Sequence, residues 1–406
     1  MSELAIKGGD PVRRAAFARF PEFDDEGLSG LREVLESGVW GGYHPKVKEF
    51  EQAFAAFQGS KYGITAANGT VTLETALLAA GVGPGDEVIV PPISFVATAT
   101  AVLRVGAVPV FVDVDPSTIN IDPSKVAEVV NENTRAIIPV HFAGHPADMD
   151  AIMSIAERHD LKVIEDCAHA HGATWNDKPV GSFGDFGSFS FQASKNLTAG
   201  EGGFLTVNDD ELAELARSIC NQGRRTGGAW YEHVRLGTNY RITGWQAAIL
   251  LAQLKKLPEQ IQRRAENAHF LNEQLNGVDL VSLPYVDRRV TRHSYYLYLI
   301  KLNLDRYPGL SKAVFVKALS AEGIPCADGY PHPLYENEVF SNHKHVRTDC
   351  PIAERMCVDT IWLSHDIMLS PTDQLTDVTR AIEKIAPRID QLGAGGKRLG
   401  AGDLRR

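Results

Sequence analysis

The chain is poor in the features that mark several protein classes. Its 406 residues contain five cysteines, an odd number with no C-x-x-C spacing. A disulfide framework or a zinc knuckle is not expected from that usage, and a reducing compartment is. No run approaches the roughly 18 apolar residues of a membrane span. The first residues, 1–14, include acidic Glu3 and no apolar stretch, so no signal peptide is expected. Basic charge is also in deficit: 41 Lys and Arg against 51 Asp and Glu give a net charge of −10. That balance excludes a sequence-independent nucleic-acid binder, which needs a basic footprint. The expectation is a cytoplasmic globular protein without nucleic-acid or membrane partners. A local basic pocket for anions remains compatible with the acidic total.

Several catalytic signatures are missing too. No G-x-G-x-x-G follows a strand-like run, and neither H-E-x-x-H nor G-x-S-x-G occurs. The nearest phosphate-loop mimic, Gly393 to Lys397, continues with Arg398 instead of Ser or Thr. His141 and His145 have helical spacing, but Gly144 and Pro146 break a helix there. No metal site is expected.

Apolar runs and helical periods alternate through the first two thirds. Strand-like segments are Glu87–Val90, Val108–Val114, Ala136–Val140 and a run opening at Lys162–Ile164. Helix-like segments between them are Ser94–Val105, Ser124–Val130 and Asp148–His159. This rhythm predicts an α/β fold with a mostly parallel sheet covered on both faces. Ligands of such sheets gather at the carboxyl ends of the strands. Gly244–Leu275 is a long amphipathic run in which Pro258 predicts a kink or a junction of two helices. Beyond it, Ser294–Leu302 is rich in strand formers and Lys312–Glu322 reads as a helix. The expected division is a large domain over 1–260, a smaller one over 261–390, and a flexible tail, 391–406.

Three segments place unusual chemistry where strand ends are expected. Asn68-Gly69-Thr70 opens a helical run whose free N–H groups suit a phosphate. A plain N-cap at Asn68 or Thr70 explains that segment equally well. Glu165-Asp166 ends an apolar strand, and a carboxylate there can pair with a protonated ring nitrogen. A strand-terminal cap is the simpler alternative. Lys195 follows the aromatic run Phe186–Phe191 and precedes the Gly200–Gly203 turn. A lysine packed at a strand end can serve as an amine nucleophile. Taken singly it would be an ordinary surface lysine. Together, a phosphate cradle, a pyridinium partner and an imine-forming lysine meet the requirements of pyridoxal phosphate.

The sequence then resembles the DegT/DnrJ/EryC1/StrS family of sugar and cyclitol aminotransferases, from about Leu4 to about Asp390. The resemblance is carried by GGDPVR (8–13), NGT (68–70), GDEVIVPPISFVATA (85–99), PVHFAGHPADMD (139–150), IEDCAHAHGA (164–173), GSFSFQASKNLTAGEGG (187–203) and GTNYRITGWQAAILLAQL (237–254). It implies a fold type I enzyme: a large domain with a mostly parallel seven-stranded sheet between helices, and a smaller α+β C-terminal domain. The cofactor it implies is pyridoxal 5′-phosphate, passing through its pyridoxamine form.

Site roles follow from the same resemblance. Lys195 bonds the cofactor and moves protons. Asp166 holds its ring nitrogen protonated, and His169 lies beside the ring. Phe95 stacks on the ring, while Gly69, Thr70 and Ser190 hold the phosphate. Asn239 reaches the phosphate of a neighbouring subunit's cofactor, which implies a homodimer with shared sites. Lys195 stands where dehydratases of the family carry His, which favours amino transfer. GGDPVR, Asp166–Gly172 and Trp362–His365 lean toward glutamine:scyllo-inosose aminotransferases and 3-amino-5-hydroxybenzoate synthases, in antibiotic or amino-sugar biosynthesis. The expected donor is glutamine or glutamate, and the expected acceptor is a ketone on a cyclitol or sugar. A nucleotide keto-sugar is the second choice for acceptor, a dehydratase or lyase on this scaffold the second choice of reaction. The acidic net charge favours the neutral acceptor.

Overall fold

The protein is described by a computed structural model covering residues 3–392. The Gly393–Arg406 segment and its phosphate-loop mimic lie outside the described residues. The main sheet contains β1 (Tyr62–Ala66), β2 (Glu87–Val90), β3 (Val108–Phe111), β4 (Thr134–Ile137), β5 (Lys162–Asp166), β6 (Phe186–Ser190), β7 (Gly203–Val207) and β8 (Val346–Arg347). Their spatial order is β1-β7-β6-β5-β4-β2-β3-β8. Only β7 runs against its neighbours, β1 and β6. The other pairings are parallel, so β1, β5 and β6 all end on one edge of the sheet. Side chains from β1 through β7 are buried nearly throughout, as a sheet covered on both faces requires.

The family expectation of seven strands is exceeded by one. The extra strand is the two-residue β8, which comes from the C-terminal part of the chain and pairs parallel to β3. It covers an edge that would otherwise present unpaired backbone groups. The expected strand Val108–Val114 stops at Phe111. Beyond it Val114 forms only an isolated bridge with Ile121. The expected Ser94–Val105 helix begins at Ala97, because Ser94 and Phe95 lie in the turn that enters it.

The Gly244–Leu275 segment forms one helix with Pro258 inside, so the expected junction of two helices is not there. A proline removes one backbone donor, and tertiary packing offsets the loss. Thr243 and Gln246 form a capping box at the start of this helix. Leu250, Leu257 and Ile261 then pack with Phe50, Phe54, Phe189, Phe191 and Phe204. Farther along, Ala268, Leu271 and Leu275 enter a separate core with Leu4, Ile300, Phe315, Ile361 and Ile382. Residue 260 thus falls within a helix that serves both cores. A three-stranded antiparallel sheet of Val281–Ser282, Leu297–Leu302 and Thr360–Ser364 supports the second core. No helix among the described residues is long and apolar enough to cross a membrane.

Candidate active site

The shared strand edge gathers most of the singled-out residues. β1 ends at Ala66, opposite Gly203 of β7, which also faces Ser190 at the end of β6. The chain leaving β1 turns at Asn68 into the Gly69–Ala79 helix. Asn68 is the N-cap, and its side chain accepts from the Val71 N–H at 3.0 Å. The plain-cap reading of this segment therefore holds. It leaves the Gly69 and Thr70 N–H groups in the first turn, where no carbonyl of the helix reaches them. Two glycines make the approach possible. A Cβ on Gly69 would lie 2.9 Å from the Ser190 Cβ, and one on Gly203 would lie 2.3 Å from the Asn68 carbonyl oxygen. The Ser190 hydroxyl accepts from the Gln192 N–H at 3.3 Å and keeps its own proton to donate.

Asp166 ends β5 and is buried. Its Oδ2 accepts from the Thr98 hydroxyl at 2.7 Å, and its Oδ1 accepts from the Ala168 N–H at 3.1 Å. Thr98 is itself held by the Ser94 hydroxyl at 2.7 Å. Burial raises the Asp166 carboxyl above its ordinary value, and the Thr98 bond is the largest opposing influence. A carboxylate takes about four hydrogen bonds. Asp166 has spare acceptor capacity in a place where a cation would relieve its desolvation.

Lys195 lies just beyond β6 and is buried. Its Nζ is 3.5 Å from the Tyr296 hydroxyl and 4.5 Å from the Tyr296 ring centroid. The same hydroxyl is 2.9 Å from Ser194 Oγ. His169 stacks on Tyr296 with centroids 4.2 Å apart and planes at 27°. Burial drives the His169 imidazole well below its ordinary value, and nearby Lys195 adds to the shift. The ring is therefore neutral, and its buried Nδ1 has no partner. His171 is held at about 3, mainly by burial, while its Nε2 donates to the Ser190 carbonyl at 2.9 Å.

Two further expected residues are exposed. Phe95 precedes the Ala97–Arg104 helix, whose Thr98 binds Asp166, and the residue is 59% exposed. Asn239 is exposed, and its side-chain oxygen accepts from the Arg241 N–H at 3.4 Å. His141 and His145 do not form a metal pair. His141 Nδ1 accepts from the Ala147 N–H at 3.0 Å, so its proton lies on Nε2, 3.1 Å from Glu165. His145 has the opposite tautomer: Nδ1 donates to the Pro146 carbonyl at 2.7 Å and Nε2 accepts from the Asp287 N–H at 3.2 Å. His141, Glu165 and Cys167 do lie close together. Yet the Glu165 oxygens also accept from the N–H groups of Gly181, Phe183 and Gly184 at 2.7, 2.8 and 2.9 Å, and burial keeps the Cys167 thiol protonated. That cluster is a saturated structural network.

Thr98 and Tyr296 were not legible as site residues. Thr98 had a weak signal, its place one turn into a helix beginning at a strand end. Tyr296 had none beyond membership of an aromatic run. The donor set fits pyridoxal phosphate: an amine, a buried carboxylate with spare lone pairs, an orphaned imidazole nitrogen, and a glycine-lined helix start beside a serine hydroxyl.

Comparison with known proteins agrees with this chemistry. The model of the DegT/DnrJ/EryC1/StrS aminotransferase family matches residues 21–383. L-glutamine:scyllo-inosose aminotransferase of Streptomyces griseus is 36% identical, covering 96% of this chain and 99% of the relative. L-glutamine:2-deoxy-scyllo-inosose aminotransferase of Micromonospora echinospora is also 36% identical, covering 95% and 98%. The crystal structure of 3-amino-5-hydroxybenzoic acid synthase superposes with a TM-score of 0.87 at 35% identity, covering 93% of this chain and all of that one. The chain belongs to the DegT/DnrJ/EryC1/StrS aminotransferase family and is a pyridoxal phosphate-dependent aminotransferase of its aminocyclitol and amino-sugar group.

Proposed function

We propose that this enzyme transfers the amino group of glutamine or glutamate to a ketone on an uncharged cyclitol or sugar ring, in a route to an aminocyclitol antibiotic or amino sugar. The observation that carries the reaction type is the placement of Asp166 at the end of β5 and of Lys195 just beyond the adjacent β6, on the sheet edge that also carries the Gly69 helix start. The substrate class rests on the two scyllo-inosose relatives and on the acidic net charge of −10. When bound, pyridoxal phosphate supplies a sink for the electrons released as a proton leaves the amine-bearing carbon.

The chain's own residues do the rest. The Asp166 carboxylate would keep a bound pyridine nitrogen protonated, with Thr98 holding the carboxylate in place. Lys195 Nζ would take the proton from the donor's amine-bearing carbon and hold it for return. Such positioned proton transfer is worth roughly 10²–10⁴-fold. Tyr296 gives the free Nζ a resting place through its hydroxyl and ring face. The Gly69 and Thr70 N–H groups and the Ser190 hydroxyl would hold the phosphate group. Phe95 and His169 would confine the ring, and the neutral His169 would add no competing charge. The body formed by 1–260 carries these groups except Tyr296, which the 261–390 body brings to them as it closes over the site.

A second copy completes the site in this reading. The segment around Asn239 carries Trp230 at 78% exposure and Leu236 at 96%, an apolar surface suited to cover by another chain. Asn239 then reaches the partner's phosphate group.

The test is a panel of donors and acceptors read by mass spectrometry. Glutamine and glutamate are paired with cyclitol ketones and with keto nucleotide sugars. An amine-bearing cyclitol product is expected. Amination of nucleotide sugars alone would overturn the acceptor, and a dehydrated or cleaved product would overturn the reaction. Lys195→Ala is expected to lose both turnover and the visible absorption of lysine-bonded cofactor. Light scattering checks the dimer, and a monomer active at every concentration would overturn the shared site.

A further inference from the structure

Arg264 lies inside the long Gly244–Leu275 helix and has no exposed surface. Its hydrogen bonds go to a histidine instead of a carboxylate. Nε donates to the His365 carbonyl at 3.3 Å, and Nη2 donates to His365 Nδ1 at 3.0 Å. Nη1 has no partner. Burial pulls the guanidinium down to about 9, so it remains charged at neutral pH. Burying a cation costs several kcal/mol, and apolar replacements of similar volume are often neutral or stabilising. The charge therefore calls for a task that an apolar side chain cannot perform.

His365 shows that task. It follows the Thr360–Ser364 strand and is 4% exposed. Burial, followed by the Arg264 charge, holds its imidazole at about 3, so the ring is neutral and carries one proton. A guanidinium only donates, so Nδ1 accepts and the proton lies on Nε2. Nε2 donates to the Ser194 carbonyl at 2.9 Å, one residue before Lys195. The same ring stacks with Tyr296 at 5.9 Å and 23°, and Tyr296 contacts the Lys195 amine. The edge of Phe20 packs on His365 at 4.7 Å.

We infer that Arg264 and His365 are positioning residues for Lys195: the guanidinium fixes the His365 proton on Nε2, and His365 fixes the main chain and the tyrosine that hold the lysine amine. The inference rests on Lys195 being the proton-moving amine of the proposed reaction. It gives the C-terminal body a direct hold on the catalytic loop, and it makes the tautomer of one histidine a condition for catalysis.

The kinetic measurements use the full chain loaded with pyridoxal phosphate, and the exchange measurements use the same full chain without it. His365→Phe keeps a packing ring and removes the donor. His365→Gln keeps a donor and has no tautomer to set. Arg264→Met removes the lock. In single turnovers with the amino donor, His365→Phe is expected to react about 10–100-fold slower, as displaced catalytic groups do, with donor KM within about twofold. His365→Gln recovers most of the rate. Arg264→Met slows the wild type but adds nothing in the His365→Phe background, the non-additivity of two residues in one network. Amide exchange over Gln192–Leu197 in the cofactor-free protein is expected to speed up in His365→Phe and return in His365→Gln. Unchanged rates and exchange in His365→Phe, a His365→Gln variant as slow as His365→Phe, or additive losses would overturn the inference. Lys195→Ala is run alongside. Wild-type turnover in that variant would remove the reading of Lys195 itself, whereas a dead Lys195→Ala beside a normal His365→Phe removes only the positioning role.

Discussion

Glu165 and Asp166 are neighbours at the end of β5, both carboxylates and both buried, yet their surroundings differ. Glu165 accepts from three backbone N–H groups and from His141. Asp166 accepts from one backbone N–H and from Thr98. Successive strand residues face opposite sides of a sheet. On the Glu165 side the Gly181, Phe183 and Gly184 N–H groups and His141 together fill the acceptor positions. On the Asp166 side the Gly69 helix start, Thr98 and Lys195 leave acceptor capacity unfilled. The lesson is that burial of an acid does not mark a catalytic group by itself. A saturated carboxylate organises a loop, and an unsaturated one beside an amine is available to a cationic ligand.

Substitutions can break or sharpen that contrast. The largest effect is expected from Asp166→Ala, which should lower amino transfer by about 10²–10⁴-fold. Denaturant unfolding should change by less than in Glu165→Ala, because Asp166 holds two hydrogen-bond partners where Glu165 holds four. A stable fold with normal turnover would erase the distinction. Glu165→Ala should behave in the opposite way. It strands three buried N–H groups and His141, each worth about 1–3 kcal/mol, so unfolding should be easier by about 3 kcal/mol or more. The fraction that remains folded should turn over near the wild-type rate.

Thr98→Val tests whether Asp166 depends on its hydroxyl partner. A hydrogen bond to a charged group contributes about 1.5–3 kcal/mol. Cofactor affinity, measured by equilibrium dialysis, should therefore fall about tenfold. The smallest effect is expected from Tyr296→Phe, which keeps the ring under the Lys195 amine and removes the hydroxyl. Single-turnover rates should drop about two- to fivefold. A loss as large as that of Asp166→Ala would make Tyr296 a proton carrier.

The alternation of strands and helices was legible because apolar runs and helical periods are local. Glu87–Val90 and Gly244–Leu275 have the bounds the pattern predicts. Lys195 and Asp166 were legible because strand ends of a parallel sheet are where such groups act. Of the two readings of Pro258, the junction of two helices fails, because packing against two cores keeps one continuous helix. The eighth strand was invisible because two residues carry no periodicity. Thr98 escaped because it meets Asp166 from 68 residues away, and Tyr296 meets Lys195 from 101. The Arg264–His365 contact also spans 101 residues. Nothing local in an arginine on a helix says that it ends beside a histidine.

By itself, the sequence determined the residue types and their local geometry. It supplied an amine after a strand, two acids at a strand end on opposite faces, and a capped helix start with glycine at its first turn. These follow from bonding over a few residues and from the two-residue period of a strand. Only the tertiary structure decided which acid is saturated, which tyrosine receives the amine and which histidine holds the loop. Those outcomes depend on loops and helices brought together across the chain, where burial decides whether a polar group is satisfied or left available.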